Sequence, residues 1–479
     1  MPPPSATPPN QGEPPIGCTP GAVTRTPVVR DRDDACPGAL RLHTAADGNL
    51  ARLRLPGGIL TARQVEALAT AAERYGDGHL TLTSRGNAEL RGIAAPHTNA
   101  LAELLRHTGL MPSQTHERVR NIIASPLAGL DGRGHDTGHA TATGGATGTG
   151  TRTGGGTGTG IRTRLHALDA LLCAQAWTTA LSGRFLFALD DGRGDVARLG
   201  ADVTLLAQEQ DTVVVRIGAS ALRVAAADAP RAALEAARAF LDTATAAGNG
   251  AWRVHELPPG HEVDLASALA RARIPATPAP VPDDAQEAAP APPPGIVASP
   301  DGTYALVVAP VLGRVSAARL RALPGPGGEV RITPWRGFVV PGFDEPGARA
   351  RLRELDDAGF TTRPDAPWAG VGACTGRPGC AKALADVRRD ALPGTGGLPV
   401  HWSGCERRCG HPHGDWVDVT ATAEGDYTVT VRGVREHQVP LDKGGLGSAV
   451  AGARGDGRPG AYGPGPRTGT GTGTGTTTR

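Results

Sequence analysis

The sequence predicts an α+β protein in which a β-α-β unit occurs twice and a larger segment follows each copy. Three observations support this fold class: stretches without apolar periodicity that divide the chain, a weak internal repeat, and four closely spaced cysteines near the C-terminus. Without those stretches, the 479-residue chain still has enough residues for two or three compact domains.

Four low-complexity segments separate the parts that we expect to fold. Their Pro, Gly, Thr and Ala residues cannot bury enough apolar surface to offset the entropy lost when a backbone is ordered. We therefore predict a disordered Pro-rich tail at 1–34, a Gly/Thr-rich insert at 132–163, a Pro/Ala linker at 275–294 and a disordered tail at 444–479.

Composition excludes several classes of protein. A net charge of +2 argues against a nucleic-acid-binding protein with a broad basic face. No apolar run is long enough for a membrane helix and the N-terminus has no signal-peptide core, so we expect a cytoplasmic protein with no membrane partner. Of 49 basic residues, only Lys382 and Lys443 are lysines. This excess of arginine over lysine reflects either coding bias or a need for guanidinium groups that bind planar carboxylates, and composition does not distinguish the two explanations.

The internal repeat pairs residues 50–93 with residues 304–343. Each copy is typical of a strand, a Gly-containing turn, a helix and a second strand, with Thr61 and Ser316 at the helix N-caps. A further helix follows each copy. Because neither unit alone covers its own sheet, we predict that the two pack as a pseudo-twofold pair.

Larger segments follow the two units, at about 118–272 and 370–439. In the first, apolar periodicity predicts a helix over 166–181. In the second, we predict a helix over 381–392 and a closing hairpin near 416–431. Function is expected where the two segments meet.

Four cysteines have the spacing of a metal site. Cys374 and Cys380 form a C-x5-C pair, and Cys405 and Cys409 form a C-x3-C pair 24 residues later. Structural zinc sites use tighter pairs, whereas an iron-sulfur cubane needs one thiolate for each of four irons. The spacing favours such a cluster, with zinc or unligated thiols as the alternatives. The other cysteines are isolated: Cys18, Cys36 and Cys173.

The order of several motifs resembles the sirohaem-dependent nitrite and sulfite reductases. These motifs are LPGG, LTSRGNAEL, VRNIIASP, LSGRFLFALDDG and the two cysteine pairs, which together span about residues 36–434 apart from the inserts. Within that superfamily, the stretches at 373–391 and 401–412 look most like the precorrin-3B synthases of aerobic cobalamin biosynthesis.

This resemblance implies duplicated ferredoxin-like half-domains and two α/β tetrapyrrole-binding lobes, with the substrate held between lobes beside a 4Fe-4S cluster. It divides the folded chain into half-domain 1 at 35–115, lobe 1 at 116–274, half-domain 2 at 295–365 and a 4Fe-4S lobe 2 at 366–443.

The resemblance also suggests substrate-binding residues. Arg85 in TSRGN, Arg120 in VRN and Arg184 in SGRFLF match basic groups that bind the tetrapyrrole or its anion. Ordinary ion pairs are the alternative role for these arginines. Asn87 and Asn121 could hydrogen-bond the substrate, or could stabilise turns and strand ends.

The implied activity is the oxidation of precorrin-3A to precorrin-3B by O2, with hydroxylation at C20 and closure of a γ-lactone. The cluster would pass electrons from an unidentified donor, an NAD(P)H-linked reductase or a ferredoxin. A separate non-haem iron would activate oxygen. His411, His413 and Asp415 offer suitable ligand types, or form an ordinary loop. We assign no catalytic residue.

The main alternative is a sirohaem-dependent nitrite or sulfite reductase, in which Cys409 would bridge the cluster to the sirohaem iron. Leu186 stands where sulfite-type enzymes have a second basic residue after Arg184, so the cation pair that holds a small oxyanion is absent. An enzyme acting on a metal-free tetrapyrrole needs less charge there. A third alternative is a non-enzymatic binding module that carries a cluster or zinc.

Overall fold

The computed structural model describes residue 34 and residues 36–135, 160–281, 291–394, 396–433, 436–439 and 445–455. Within these ranges the chain forms four β-sheets with helices packed against them, so the predicted α+β class is confirmed. Most of the predicted segments 1–34, 132–163 and 444–479 lies outside the described residues, as do residues 282–290 of the predicted linker 275–294, Cys18 and Lys443. None of the helices in the described ranges has the length and apolar character needed to cross a membrane.

Half-domain 1 folds around a helix with a fully formed N-cap. The Thr61 hydroxyl accepts a hydrogen bond from the Gln64 backbone N–H, and the Gln64 side chain accepts one from the Thr61 N–H. This confirms the predicted cap. The elements are β1 (His43–Ala45), β2 (Gly48–Leu53), β3 (Ile59–Thr61), α1 (Ala62–Tyr75), β4 (His79–Leu82), β5 (Ala88–Ile93) and α2 (Thr98–His107).

Lobe 1 is a six-stranded mixed sheet covered by helices. Its strands are β6 (Ile122–Ala124), β7 (Phe187–Asp190), β8 (Val203–Gln208), β9 (Thr212–Ile217), β10 (Ser220–Ala225) and β11 (Thr277–Pro278), in that spatial order. Strands β6 to β8 are parallel and the others antiparallel. Its helices are α3 (Ile161–Ala174), α4 (Ala229–Ala247) and α5 (Leu265–Arg271).

The helix predicted over 166–181 is displaced towards the N-terminus. Helix α3 ends at Ala174, and a short 3-10 turn at Ala176–Ala180 follows. The extended backbone of Gln175 separates them, and the Thr178 hydroxyl donates to the Leu172 carbonyl at 2.7 Å. Cys173 is therefore half-buried near a helix end.

Half-domain 2 repeats the first unit. The Ser316 hydroxyl accepts from the Arg319 N–H at 3.4 Å, as the repeat predicted. Its elements are β12 (Gly295–Ala298), β13 (Tyr304–Pro310), β14 (Arg314–Ser316), α6 (Ala317–Arg321), β15 (Glu329–Ile332), β16 (Phe338–Phe343), α7 (Glu345–Asp357) and β17 (Phe360–Thr361).

The two half-domains exchange edge strands. Strand β3 of the first pairs with β15 of the second, and β14 of the second pairs with β4 of the first. The resulting sheets have the orders β1-β2-β5-β4-β14 and β12-β13-β16-β15-β3. One shared hydrophobic core joins them, with Leu68 and Leu90 packing with Leu320 and Phe338. The predicted pseudo-twofold pair is therefore a single intertwined unit.

The second lobe, here called the cysteine lobe, contains a smaller mixed sheet. Its strands β18 (Val371–Ala373), β19 (Val400–Ser403) and β20 (Trp416–Ala421) are parallel, and β21 (Tyr427–Arg432) and β22 (His437–Val439) continue the sheet antiparallel. Helices α8 (Val387–Asp390) and α9 (Gly445–Gly455) complete the lobe.

Two predictions about this lobe are wrong. The helix expected over 381–392 is reduced to α8, because the Ala383 N–H donates to the Cys380 carbonyl and the Leu384 N–H to the Gly404 carbonyl, which bends the chain. The tail expected from 444 begins with α9. Buried Arg454 on that helix donates to the carbonyls of Leu398 and Ala369, each at 3.0 Å, and so anchors the helix to the lobe.

Candidate functional site

The four predicted cluster cysteines lie at the carboxyl edge of the parallel strands in the cysteine lobe. Cys374 directly follows β18, and Cys405 and Cys409 follow β19. Cys409 is exposed, but partial desolvation of its thiol and then the charge of Cys374 raise its pKa; Arg407 opposes this shift, and Cys405 and Cys380 add to it. The other three cysteines therefore all lie near Cys409.

The four thiols do not form a compact tetrahedral set in the described structure. In the described ranges, no three of the four cysteine sulfurs lie within 4.8 Å of one another. Sulfurs around a tetrahedral zinc would be separated by about 3.8 Å, given zinc–sulfur bonds of about 2.3 Å. A cluster in which each thiolate binds a different iron atom does not require such close sulfurs.

Glycines form a close cradle for Cys374. The Gly404 N–H donates to Cys374 Sγ at 3.2 Å, and the Gly376 N–H also donates to it. A Cβ atom on Gly404 would come 2.7 Å from Ala383 Cβ, and Gly376 has a left-handed φ of +68°. Burial raises the pKa of the Cys374 thiol, and both N–H groups oppose that shift by stabilising the thiolate. This donor set fits a metal-thiolate group.

His401 on β19 supports the second cysteine pair. Its Nε2 lies 3.1 Å from the Cys409 carbonyl oxygen. Burial, followed by the nearby Arg336 charge, lowers the pKa of His401 well below its usual value. The ring is therefore neutral and donates from Nε2, while Nδ1 has no hydrogen-bond partner in the described part of the chain. His401 thus fixes the backbone of the cysteine loop.

Two arginines bring positive charge to the cysteine edge. Arg336 of half-domain 2 donates from Nη2 to the Gly410 carbonyl, beside Cys409. Burial lowers the pKa of Arg336, and burial with the nearby Arg314 charge lowers that of Arg388 to about 10. Neither forms an ion pair with a carboxylate in the ranges that the structure covers.

A cleft of about 550 Å³ opens where half-domain 1, lobe 1 and the cysteine lobe meet. Such a volume is within the range of small-molecule and cofactor sites. Its walls come from all three units: Ser84 and Arg85, then Leu199, Gly200, Arg253 and His255, then Gly410, His411 and His413.

Arg85 is the one sequence-predicted binding residue that lines this cleft. Its Nη1 donates to the Arg184 carbonyl at 3.2 Å. Burial and then the charges of Arg253 and Arg54 lower the pKa of Arg85 to about 10, so it stays positive at neutral pH. The exposed Arg184 side chain lies over the Trp252 ring, 5.1 Å from its centroid.

Arg120, Asn87 and Asn121 are held inside the protein instead. Arg120 makes a bidentate ion pair with Asp169, with both contacts at 2.7 Å, and donates to the Leu110 carbonyl at 3.1 Å. Asn87 Nδ2 donates to Asn121 Oδ1 at 2.8 Å, and both side chains are buried. The structure thus brings Arg85 and Arg184 together but keeps the other three residues out of the cleft lining.

Sequence reasoning missed Arg253 and His255. Arg253 Nε donates to Asp202 at 2.5 Å, which holds its guanidinium at the cleft wall. Neither residue belongs to a recognisable motif. No sequence signal marked Arg253, because its place at the cleft depends on Asp202, 51 positions earlier.

The proposed iron ligands in the CGHPHGD stretch do not form a compact site in the structure. His411 stacks on Trp416 with centroids 5.1 Å apart and an interplanar angle of 12°. Burial, then the charges of His411 and Arg85, lower the pKa of His413. Ligand atoms of His411, His413 and Asp415 do not lie within 4.8 Å of one another, although all three residues are described.

One compact acidic set occurs in lobe 1, at the end of β7. Carboxylate oxygens of Asp190, Asp191 and Asp195 lie within 4.8 Å of one another. Asp190 accepts four backbone N–H groups, and Asp191 pairs with Arg193 at 2.7 Å. Burial and then the Asp190 charge raise the pKa of Asp195 to about 7. Backbone donors, a guanidinium and a proton thus account for this cluster.

Comparison with known proteins finds one family model and several similar proteins. Residues 43–107 match the nitrite/sulfite reductase ferredoxin-like half domain. A precorrin-3B synthase of Sinorhizobium sp is 26% identical over 450 residues, which is 88% of this chain and 88% of that protein. A ferredoxin–nitrite reductase of Synechococcus elongatus is 45% identical over 84 residues, which is 17% of this chain and 16% of the reductase.

The NirA protein of Mycobacterium tuberculosis has a similar fold. Its structure matches with a TM-score of 0.58 and 16% identity, over 82% of this chain and 77% of that one. The resemblance predicted from sequence motifs is therefore confirmed: this chain has the fold and the ferredoxin-like half domain of the nitrite/sulfite reductases, and over most of its length it is similar to a precorrin-3B synthase.

Proposed function

We propose that this chain is an O2-dependent oxidoreductase of the precorrin-3B synthase type, which converts precorrin-3A to precorrin-3B. The observation that carries the proposal is the cleft of about 550 Å³, lined by arginines rather than lysines and bordered by the cysteine loop at Gly410. The similarity over 88% of the chain to a precorrin-3B synthase supports it.

The reaction balances as a monooxygenation. One atom of O2 enters the C20 hydroxyl group and the other leaves as water, which requires two electrons and two protons. The ring A acetate then adds its carboxyl O–H across an adjacent double bond of the macrocycle, which closes the γ-lactone without a leaving group or further electrons. The electron donor would be an NAD(P)H-linked reductase or a ferredoxin.

Cys374, Cys380, Cys405 and Cys409 would hold a 4Fe-4S cluster in this proposal. When bound, such a cluster supplies single electrons beside the cleft. The glycine cradle around Cys374 and the His401 hydrogen bond to the Cys409 carbonyl would keep the four thiolates in position.

Arg85 and Arg253 would orient the substrate. The peripheral acetates and propionates of a precorrin are planar carboxylates, which guanidinium groups bind through paired hydrogen bonds. Arg184, stacked on Trp252 next to Arg85, would contact a further carboxylate at the rim. We assign no ligands to a non-haem iron, because His411, His413 and Asp415 are not preassembled in the described structure.

Anaerobically isolated protein tests the proposal. We expect four irons per chain, a broad visible absorption without a Soret band, and one labelled oxygen in the product when precorrin-3A reacts under ¹⁸O2. Product without label would refute the assignment. An intense Soret band together with nitrite or sulfite reduction by a reduced viologen dye would replace it with the sirohaem reductase alternative.

A pair of variants tests the cleft. Arg85→Ala should weaken precorrin-3A binding at least tenfold, because one charged hydrogen bond contributes about 1.5–3 kcal/mol. Arg349→Ala removes a guanidinium that is 66% exposed on half-domain 2 and should leave binding unchanged. Equal affinities for both variants would show that the substrate does not use this cleft.

A further inference from the structure

Arg336 takes the place of a glycine in the internal repeat. In half-domain 1, the Gly86 N–H donates to the Thr83 carbonyl at 3.2 Å and φ is +62°. In half-domain 2, the Arg336 N–H donates to the Thr333 carbonyl at 3.1 Å and φ is +59°. The two turns therefore share one hydrogen-bond pattern and one left-handed position.

Glycine adopts this conformation without strain, whereas a residue with a Cβ is disfavoured there. The turn itself does not require an arginine, since the first repeat forms it with Gly86. The reason for Arg336 must therefore lie in the contacts of its side chain.

The Arg336 side chain crosses from half-domain 2 into the cysteine lobe. It runs past three glycines: a Cβ on Gly313 would lie 2.7 Å from Arg336 Cδ, one on Gly372 would lie 3.2 Å from Nη1, and one on Gly410 would overlap Nη2. The Gly410 carbonyl accepts from Nη2. The lobe is thus shaped to admit this guanidinium next to Cys409.

The anions near Arg336 are few. Among the described residues, only Glu89 and Cys374 favour the charged form of Arg336 through their negative charge. Glu89 is already hydrogen-bonded to Arg52, with its oxygen 2.8 Å from Nε. A guanidinium partly removed from water and without its own carboxylate is costly unless another negative group compensates it. The thiolates of a metal-bound cysteine set would supply that negative charge.

We propose that Arg336 is a built-in counter-charge for the group held by Cys374, Cys380, Cys405 and Cys409, and that it raises the reduction potential of that group. This inference rests on the 4Fe-4S cluster of the proposed function. A fixed positive charge beside the cysteines favours the reduced cluster, which is more negative by one charge than the oxidised one. Arg336 positions the cysteine loop through its hydrogen bond to the Gly410 carbonyl, and its charge acts on the group that the cysteines hold.

An EPR-monitored redox titration of the full chain, with iron and sulfide analysis and without substrate, tests this role. Arg336→Gly copies the first repeat and suits the left-handed backbone. We expect it to keep four irons and to shift the reduction equilibrium at least tenfold towards the oxidised cluster, about 59 mV for a one-electron couple. Arg336→Lys keeps the charge and should stay within threefold of the wild type.

Arg389→Gln is the matched control, because its side chain is 76% exposed in the same lobe and pairs with Asp390. It should also stay within threefold of the wild type. If Arg336→Gly loses iron while Arg336→Lys retains it, the counter-charge is needed to hold the cluster, which supports the proposal. An unchanged potential in Arg336→Gly, or equal changes in the Gly and Lys variants, would overturn it. Wild-type protein without iron would instead refute the cluster of the proposed function.

Discussion

Replacing Asp169 by Ala should leave the buried Arg120 guanidinium without its carboxylate partner and so destabilise the protein. The Arg120 and Asp169 side chains are 6% and 18% exposed, and two 2.7 Å hydrogen bonds join them. Removal of one partner from a buried ion pair costs about 3–5 kcal/mol, and the partial exposure of Asp169 favours the lower end. For a lobe of this size, about 3 kcal/mol corresponds to a fall of about 6–12 °C in the unfolding temperature.

Differential scanning calorimetry of the full chain would measure this change. Asp228→Ala is the control in the same lobe. Its partner Arg231 lies 3.4 Å away, and the side chains of Arg231 and Asp228 are 54% and 32% exposed. That exposed pair should contribute about 0.5 kcal/mol or less. If Asp169→Ala melted with the wild type but bound precorrin-3A more weakly, Arg120 would be a substrate ligand after all, and its assignment as a structural residue would be wrong.

Three further predictions concern charge, packing and the C-terminal helix. Asp195→Asn should stabilise the protein above pH 7 and have little effect near pH 4. The folded pKa of Asp195 is raised to about 7, so ionisation of this carboxyl group destabilises the folded protein progressively as pH rises from 3.8 to 7. Melting temperatures of both proteins across that pH range would check this dependence. Gly404→Ala should lower the iron content, since its Cβ would lie 2.7 Å from Ala383 Cβ, whereas Gly447→Ala on α9 should not; equal iron in both would contradict the cradle. Arg454→Ala should destabilise the cysteine lobe by about 2–4 kcal/mol, because several buried carbonyls lose their charged donor; an unchanged denaturant midpoint would show that α9 is dispensable.

The sequence predicted features that depend on local spacing. Residues close in sequence control the caps at Thr61 and Ser316. The repeat was also readable, because the order of its elements survives even where the side chains differ.

The sequence did not predict which side chains from distant segments would pair. Arg120 has a motif typical of a binding residue, but Asp169, 49 positions later, takes its guanidinium. Arg253 had no motif, and only folding brings it to the cleft beside Arg85. The helix expected over 381–392 failed for the same reason, since the Gly404 carbonyl binds the Leu384 N–H and bends the chain.

The exchange of β3 and β14 has a consequence for biosynthesis. The sheet of half-domain 1 ends at β4 until β14 pairs with it, and β14 follows β4 by more than two hundred residues. A growing chain would therefore expose the unpaired backbone of β4, together with its share of the common core, until residue 316 has been made. Lobe 1 can complete its own sheet in that interval, whereas the sheet of half-domain 1 stays incomplete until β14 of half-domain 2 has been synthesised.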